Sequence, residues 1–219
     1  MLNHLHGKVN NLHAPGSMQG WGKTYDAIVN LLSLGQERKL RQATLALANV
    51  RPGERILEVG CGTGSLALAA KTQAGPGSQV AGIDVAPDML EAARRKAASA
   101  GLEIQFKLGR IEAIPFPDAQ FDLVLSSLML HHIPGDEAKQ QALIEVFRVL
   151  KPGGRLLIVD FAPPTNPHLN GLASLVVGHG LLAHSVAEFI PLVERAGFID
   201  IESGPTQSRF LAYLKGVKG

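Results

Sequence analysis

The stretch Ile56-Leu57-Glu58-Val59-Gly60-Cys61-Gly62-Thr63-Gly64 decides the fold. A run apolar enough for a buried strand ends in closely spaced glycines and leads straight into the helix-like stretch Ser65–Gln73. Glycines at such a turn let backbone approach a ligand at the N-terminus of the following helix. Twenty residues beyond Gly64, Asp84 closes a second apolar run, where a carboxylate can accept hydrogen bonds from the hydroxyls of a ribose. Alone, the loop leaves the ligand open. Gly62-Thr63-Gly64-Ser65-Leu66-Ala67 also satisfies the relaxed dinucleotide pattern G-x-G-x-x-A. Each glycine also reads as a tight strand-to-helix turn, and Asp84 as a strand-end cap.

Outward from the loop, short β-rich runs alternate with helix-like runs, a pattern that predicts a parallel sheet. The expected strands are Arg55–Gly60, Gln79–Asp84, Ile104–Gly109, Phe121–Leu128 and Arg155–Phe161, apolar enough to be covered on both faces. Pro87 suits the first turn of a helix, and Gly101 suits its end. Lys151-Pro152-Gly153-Gly154 stops a helix over about Asp136–Leu150. After Gly197, Phe198–Glu202, a Ser-Gly-Pro turn region and Arg209–Leu214 read as an antiparallel hairpin. The expected fold is therefore α/β and Rossmann-like: a seven-stranded, mostly parallel sheet with an antiparallel C-terminal hairpin and helices on both faces. We expect a single domain over residues 1–219, with an N-terminal lid and helical region over 1–50 and a small cap at 163–184 on the core 51–219.

With 219 residues, 46% hydrophobic and 18% charged, the chain suits one well-cored globular unit. The formal net charge is only +2 and its basic residues are scattered, which argues against a nucleic-acid partner. One cysteine allows no internal disulfide, and no Cys/His cluster has zinc spacing. No stretch reaches the roughly 20 apolar residues of a membrane span. The expectation is a cytoplasmic protein without stable membrane insertion, bound metal or nucleic acid.

Further stretches carry a family resemblance. Glu58-Val59-Gly60-Cys61-Gly62-Thr63-Gly64 resembles the first motif of class I S-adenosylmethionine-dependent methyltransferases, and Gly82-Ile83-Asp84-Val85-Ala86-Pro87-Asp88-Met89-Leu90 their second. Ile114-Pro115-Phe116-Pro117-Asp118, followed by Phe121-Asp122-Leu123-Val124, is similar to the third and fourth motifs. Arg148-Val149-Leu150-Lys151-Pro152-Gly153-Gly154 resembles the turn before strand five. The subgroup it resembles contains ubiquinone/menaquinone C-methyltransferases and many small-molecule or lipid methyltransferases. That resemblance implies S-adenosyl-L-methionine as cofactor, with Gly60, Gly62 and Gly64 along its methionine half. It implies Asp84 on the ribose, Met89 and Ile111 at the adenine, Glu58 organising the loop, Ser126 facing the methionyl part and Tyr25 touching the cofactor from a lid. In one place the chain departs from the family. Where the family has Gly-Asp-Ala-Glu after strand three, this chain has Gly109-Arg110-Ile111-Glu112. Arginine accepts no hydrogen bond, so the adenine amino contact moves to backbone, Glu112 or water, or Arg110 stacks on the ring.

Transfer from a sulfonium is an in-line displacement, so holding the acceptor close and excluding water does much of the work. A phenol, quinol or ammonium acceptor still has to lose a proton. His131 and His132, following strand four, are the candidate bases; the alternative is that they only structure the turn. His13 and Trp21 join Tyr25 in the expected lid, and His179 and His184 could face a pocket under the apolar segment Pro163–His184. The pairs His4/His6 and His179/His184 do not compel a metal. The leading reading is methyl transfer to a small, apolar or lipid-like acceptor such as a quinol-like ring, a lipid amine or a secondary metabolite. The competing readings are a nicotinamide-dependent oxidoreductase and a non-catalytic S-adenosylmethionine-binding module.

Overall fold

The computed structural model describes residues 37–162, 185–208 and 211–219. They form α1 (Glu37–Ala48), β1 (Arg55–Val59), α2 (Ser65–Ala74), β2 (Gln79–Asp84), α3 (Pro87–Ser99), β3 (Gln105–Leu108) and β4 (Phe121–Ser127). A 3-10 turn (Leu130–His132) precedes α4 (Gly135–Val149) and β5 (Leu150–Phe161). A second 3-10 turn (Val186–Phe189), α5 (Ile190–Arg195), β6 (Phe198–Pro205) and β7 (Leu211–Lys218) complete them.

The strands make one seven-stranded sheet in the order β3-β2-β1-β4-β5-β7-β6. β1 to β5 run parallel, while β7 is antiparallel to both β5 and β6. Side chains alternate across it with period two. On one face Leu57, Val59, Val124, Leu156 and Ile158 pack with Leu143 and Val146 of α4 and Leu192 and Val193 of α5. On the other, Ile56, Val80, Leu123, Leu125, Leu157 and Val159 pack with Leu45 of α1, Ala67 and Ala70 of α2, and Leu90 and Ala93 of α3. The small alanines of α2 and α3 suit close seating on the sheet. Both faces are thus covered by helices, as the apolar strands required.

Three strands differ from the sequence reading by more than one residue at a boundary. β5 starts at Leu150, not Arg155, because Leu150 pairs with Phe121 before the register shifts between Phe121 and Leu123. Ser203-Gly204-Pro205 is not a turn but part of β6, opposite Leu214, Tyr213 and Ala212. β6 is the sheet edge, where a proline lacking an N–H is tolerated. β7 begins at Leu211 and continues to Lys218, since its pairing with β5 extends to Arg155↔Val217. Of the expected N-terminal lid only 37–50 is described, and the expected cap 163–184 lies outside the described residues.

Candidate functional site

The strand order reverses between β1 and β4, so a crevice opens at their carboxyl ends. Register places the groups that border it: Val59 pairs with Ile83 on one side and with Ser126 on the other. The glycine loop after β1, Asp84 at the end of β2 and the histidine turn after β4 therefore share one edge of the sheet.

Gly60, Gly62 and Gly64 all have left-handed backbone, with φ of +67°, +50° and +74°, and their surroundings separate them. A Cβ on Gly60 would lie 2.1 Å from Cγ of Met129, so the histidine turn rests directly on the loop. A Cβ on Gly64 would meet Phe106 and Ala93 at 2.8 and 2.9 Å, so this glycine lets the start of α2 sit tight on the sheet and α3. A Cβ on Gly62 would meet nothing within 4 Å. Gly62 is where the loop faces open space.

Asp84 clasps this loop. Its Oδ2 accepts the N–H of Gly62 at 2.8 Å and its Oδ1 that of Ala86 at 2.9 Å. Burial pushes its carboxyl above the ordinary range, while the N–H groups of Ala86 and Gly62 pull it back. Cys61 N–H donates to Ile83 O at 2.9 Å and Gly64 N–H to Cys61 O at 2.8 Å, so several loop amides are committed within the protein. Lys96, reaching over from α3, donates to Thr63 Oγ1 at 2.8 Å and Ser65 Oγ at 2.9 Å. Sequence reading missed this brace, because nothing local ties Lys96 to residues some thirty positions earlier.

Beneath the loop two polar atoms are buried without a partner among the described residues: Glu58 Oε2 and Ser126 Oγ. Burial pushes the Glu58 carboxyl up to about 8, with the Ala67 backbone pulling it down and Asp84 adding to the rise. Burial likewise raises the Cys61 thiol, which leaves it an unreactive part of the core. Met89 and Ile111, at 2% and 6% exposure, are buried below the adjacent stretch. Val85, between Asp84 and α3, is 62% exposed. Arg110, expected to stack or to yield its contact to Glu112, is paired with Glu112 at 2.8 Å on the surface.

The histidines part company. His132 is exposed, whereas the side chain of His131 is 5% exposed and its Nδ1 lies 2.7 Å from Oδ1 of Asp160 at the end of β5. Asp160 was not singled out in the sequence. Its signal was faint: an acid in an otherwise apolar strand, two residues past Ile158 on the same face. Tyr25, His13, Trp21, His4, His6, His179 and His184 lie outside the described residues. Among the described residues no group of three His, Cys, Asp or Glu could hold a metal, and no helix is long and apolar enough to cross a membrane.

An open groove of about 750 Å³ lies at the opposite edge of the sheet, between Gln79–Ala81, α3 and Ile104–Gln105. It contains none of the crevice groups. The motifs around Pro115 and Arg148 prove to be one structural clamp: the Arg148 guanidinium donates to Ile114 O, Phe116 O, Asp118 and Glu145. Its carboxylate partners hold Arg148 charged above even the ordinary guanidinium range.

Comparison with known proteins agrees with this geometry. Residues 56–154 match the family model described as a methyltransferase domain. A demethylmenaquinone methyltransferase of Thermus thermophilus is 44% identical over 140 residues, covering 64% of this chain and 62% of that protein. A ubiquinone/menaquinone biosynthesis C-methyltransferase of Cupriavidus taiwanensis is 39% identical over 143 residues, covering 65% of this chain and 58% of that protein. The matched part thus spans about three fifths of these curated relatives. The fold is shared with a SAM-dependent methyltransferase from Aquifex aeolicus, with TM-score 0.68 and 20% identity over 82% of this chain and 89% of that one. By its loop, its sheet order and these similarities, the chain is similar to the class I S-adenosylmethionine-dependent methyltransferases, with residues 56–154 matching a methyltransferase domain.

Proposed function

We propose that the chain transfers a methyl group from S-adenosylmethionine to a small, apolar, quinol-like acceptor. The observation that carries this is the crevice edge itself, where Gly62 faces open space above one carboxyl oxygen of Glu58 and the hydroxyl of Ser126, both buried and without a partner among the described residues. An unpartnered buried polar group is costly, and a ligand that supplies positive charge and hydrogen-bond donors removes that cost. The cofactor, when bound, supplies an ammonium, two ribose hydroxyls and a methyl group on a sulfonium.

In this reading Gly60, Gly62 and Gly64 shape the cradle for the methionine half, Ser126 offers its hydroxyl, and Glu58, which burial keeps protonated in the free chain, gives up its proton to face the cofactor's ammonium. Asp84 takes the ribose, for which its oxygens have to share the two backbone donors they now hold. Met89 and Ile111 form the apolar floor of the adenine pocket. Arg110, held by Glu112, leaves the adenine amino group to backbone or water. The loop favours this cofactor over a dinucleotide. Amides at Cys61, Gly62 and Gly64 are used internally, and Asp84 places a carboxylate where a pyrophosphate would need donors.

The acceptor class rests on the relatives, which are named for demethylmenaquinone and for ubiquinone/menaquinone biosynthesis. A quinol-like substrate is lipid-like and requires a base for its hydroxyl proton. We place the reaction in the cytoplasm, in a single domain.

Titration calorimetry with S-adenosylmethionine, its demethylated product and NADH tests the cofactor. Micromolar binding of the first two and none of NADH is expected; binding of NADH alone would reverse the assignment. Turnover is then tested with radiolabelled methyl and reduced demethylated naphthoquinols. Tight cofactor binding with no transfer to quinols or lipid amines would favour the non-catalytic module.

A further inference from the structure

The end of β5 presents a buried carboxylate, Asp160, at 1% exposure beside the histidine turn. Its Oδ1 lies 2.7 Å from Nδ1 of His131 and accepts the backbone N–H of Phe161 at 2.8 Å. Its Oδ2 accepts the backbone N–H of His131 at 3.3 Å. Because both oxygens already accept from backbone, the carboxylate stands as acceptor and the proton between it and the ring belongs to Nδ1. A neutral imidazole with hydrogen on Nδ1 carries its free lone pair on Nε2.

The ring is fixed on two more sides. The His132 ring packs on it at 3.9 Å between centroids, and Phe161 meets it edge-on at 4.9 Å. The backbone leading in is strained: Leu128, a residue with a Cβ, has φ +54° while its N–H donates to Val159 O at 2.8 Å. For a residue with a Cβ the left-handed region is disfavoured by the clash with the following carbonyl. Met129 then rests on Gly60, which sets the turn against the glycine loop.

We propose that Asp160 is the positioning residue for proton removal at His131. It holds Nδ1 protonated and Nε2 bare, so that His131 rather than the exposed His132 takes the acceptor's proton. In that step the acceptor O–H bond breaks, the proton goes to Nε2, and the bond pair stays on the acceptor. The imidazolium so formed stands against the Asp160 carboxylate. This rests on the methyl-transfer reading above.

The ring proton is read directly by long-range proton–nitrogen correlation on the full nitrogen-15-labelled chain, which needs no acceptor. In the neutral ring of His131 the proton is expected on Nδ1; a proton on Nε2 would overturn the proposal. Asp160→Ala and Asp160→Asn should each lower kcat by roughly 10²- to 10⁴-fold, with KM and the Kd for S-adenosylmethionine kept within about twofold. Unchanged kcat, or a loss of cofactor affinity matching the loss of kcat, would also overturn it. Should the alanine variant fail to fold, the asparagine variant and the wild-type spectrum decide. A proton on Nδ1 with no turnover of any quinol would support the positioning and remove the quinol acceptor.

Discussion

Burial of Glu58 beneath the glycine loop pushes its carboxyl from an ordinary 4.5 up to about 8, so between those values the folded chain keeps a proton that the unfolded chain has released. Unfolding free energy then falls as pH rises through that window, by up to about 1.4 kcal/mol per pH unit. The contribution is complete below the unfolded value and lost as pH passes the folded one. Glu58→Gln should flatten this slope in urea unfolding measured from about pH 5 to 8; an equal slope in the variant would assign the titration to another group. Asp84 gives a second expectation. Asp84→Ala removes the acceptor of two backbone N–H groups as well as the proposed ribose partner. It should weaken S-adenosylmethionine binding by about 1.5–3 kcal/mol, read as a Kd increase in calorimetry. Asp84 and the loop glycines were legible because strand, turn and acid follow one another at short range. Asp160 and Lys96 were not, since their partners arrive from 29 and 33 positions away.

At the scale of the element, the loop glycines make different demands that their common spacing conceals. Gly60→Ala would drive a Cβ into Met129 at left-handed φ, and should cost about 2–4 kcal/mol of stability, read as a drop in Tm. Gly62→Ala meets open space, so only backbone strain opposes it, about 1 kcal/mol. Its larger effect should fall on the cofactor, with at least a tenfold higher Kd, because the new methyl group occupies the cradle. Equal stability losses in the two variants would remove the distinction. Helix starts and stops read well from sequence: α3 opens with Pro87 at its first turn and ends before Gly101 at φ +64°. The edge strand β6 did not, because Ser203-Gly204-Pro205 has turn composition and only pairing with β7 draws it out into a strand.

Across the whole molecule, Arg155 joins the start of the Rossmann-like sheet to the helix that precedes it. Its guanidinium donates to Ala48 O, Asn49 O and Glu54 Oε1, closing the end of α1 with a largely buried ion pair. Arg155→Met would strand the Glu54 carboxylate and leave those carbonyls open, at a cost of about 2–3 kcal/mol. Hydrogen exchange should quicken across α1 before it does across β1 and β4; uniform acceleration would mean that α1 does not open separately.

The sequence by itself determined the α/β class, the strand and helix alternation, the glycine loop and the acid that ends β2. These follow from periodicity and from turn chemistry between residues that stay neighbours along the chain. The tertiary structure alone decided which histidine faces a carboxylate, which glycine faces open space and which acid is buried beneath the loop. The reason is the strand order β2-β1-β4-β5, which brings distant chain segments side by side. β4 lies against β5 with Ser127 opposite Val159, so the residues just beyond, His131 and Asp160, meet at a strand end that no spacing along the chain specifies.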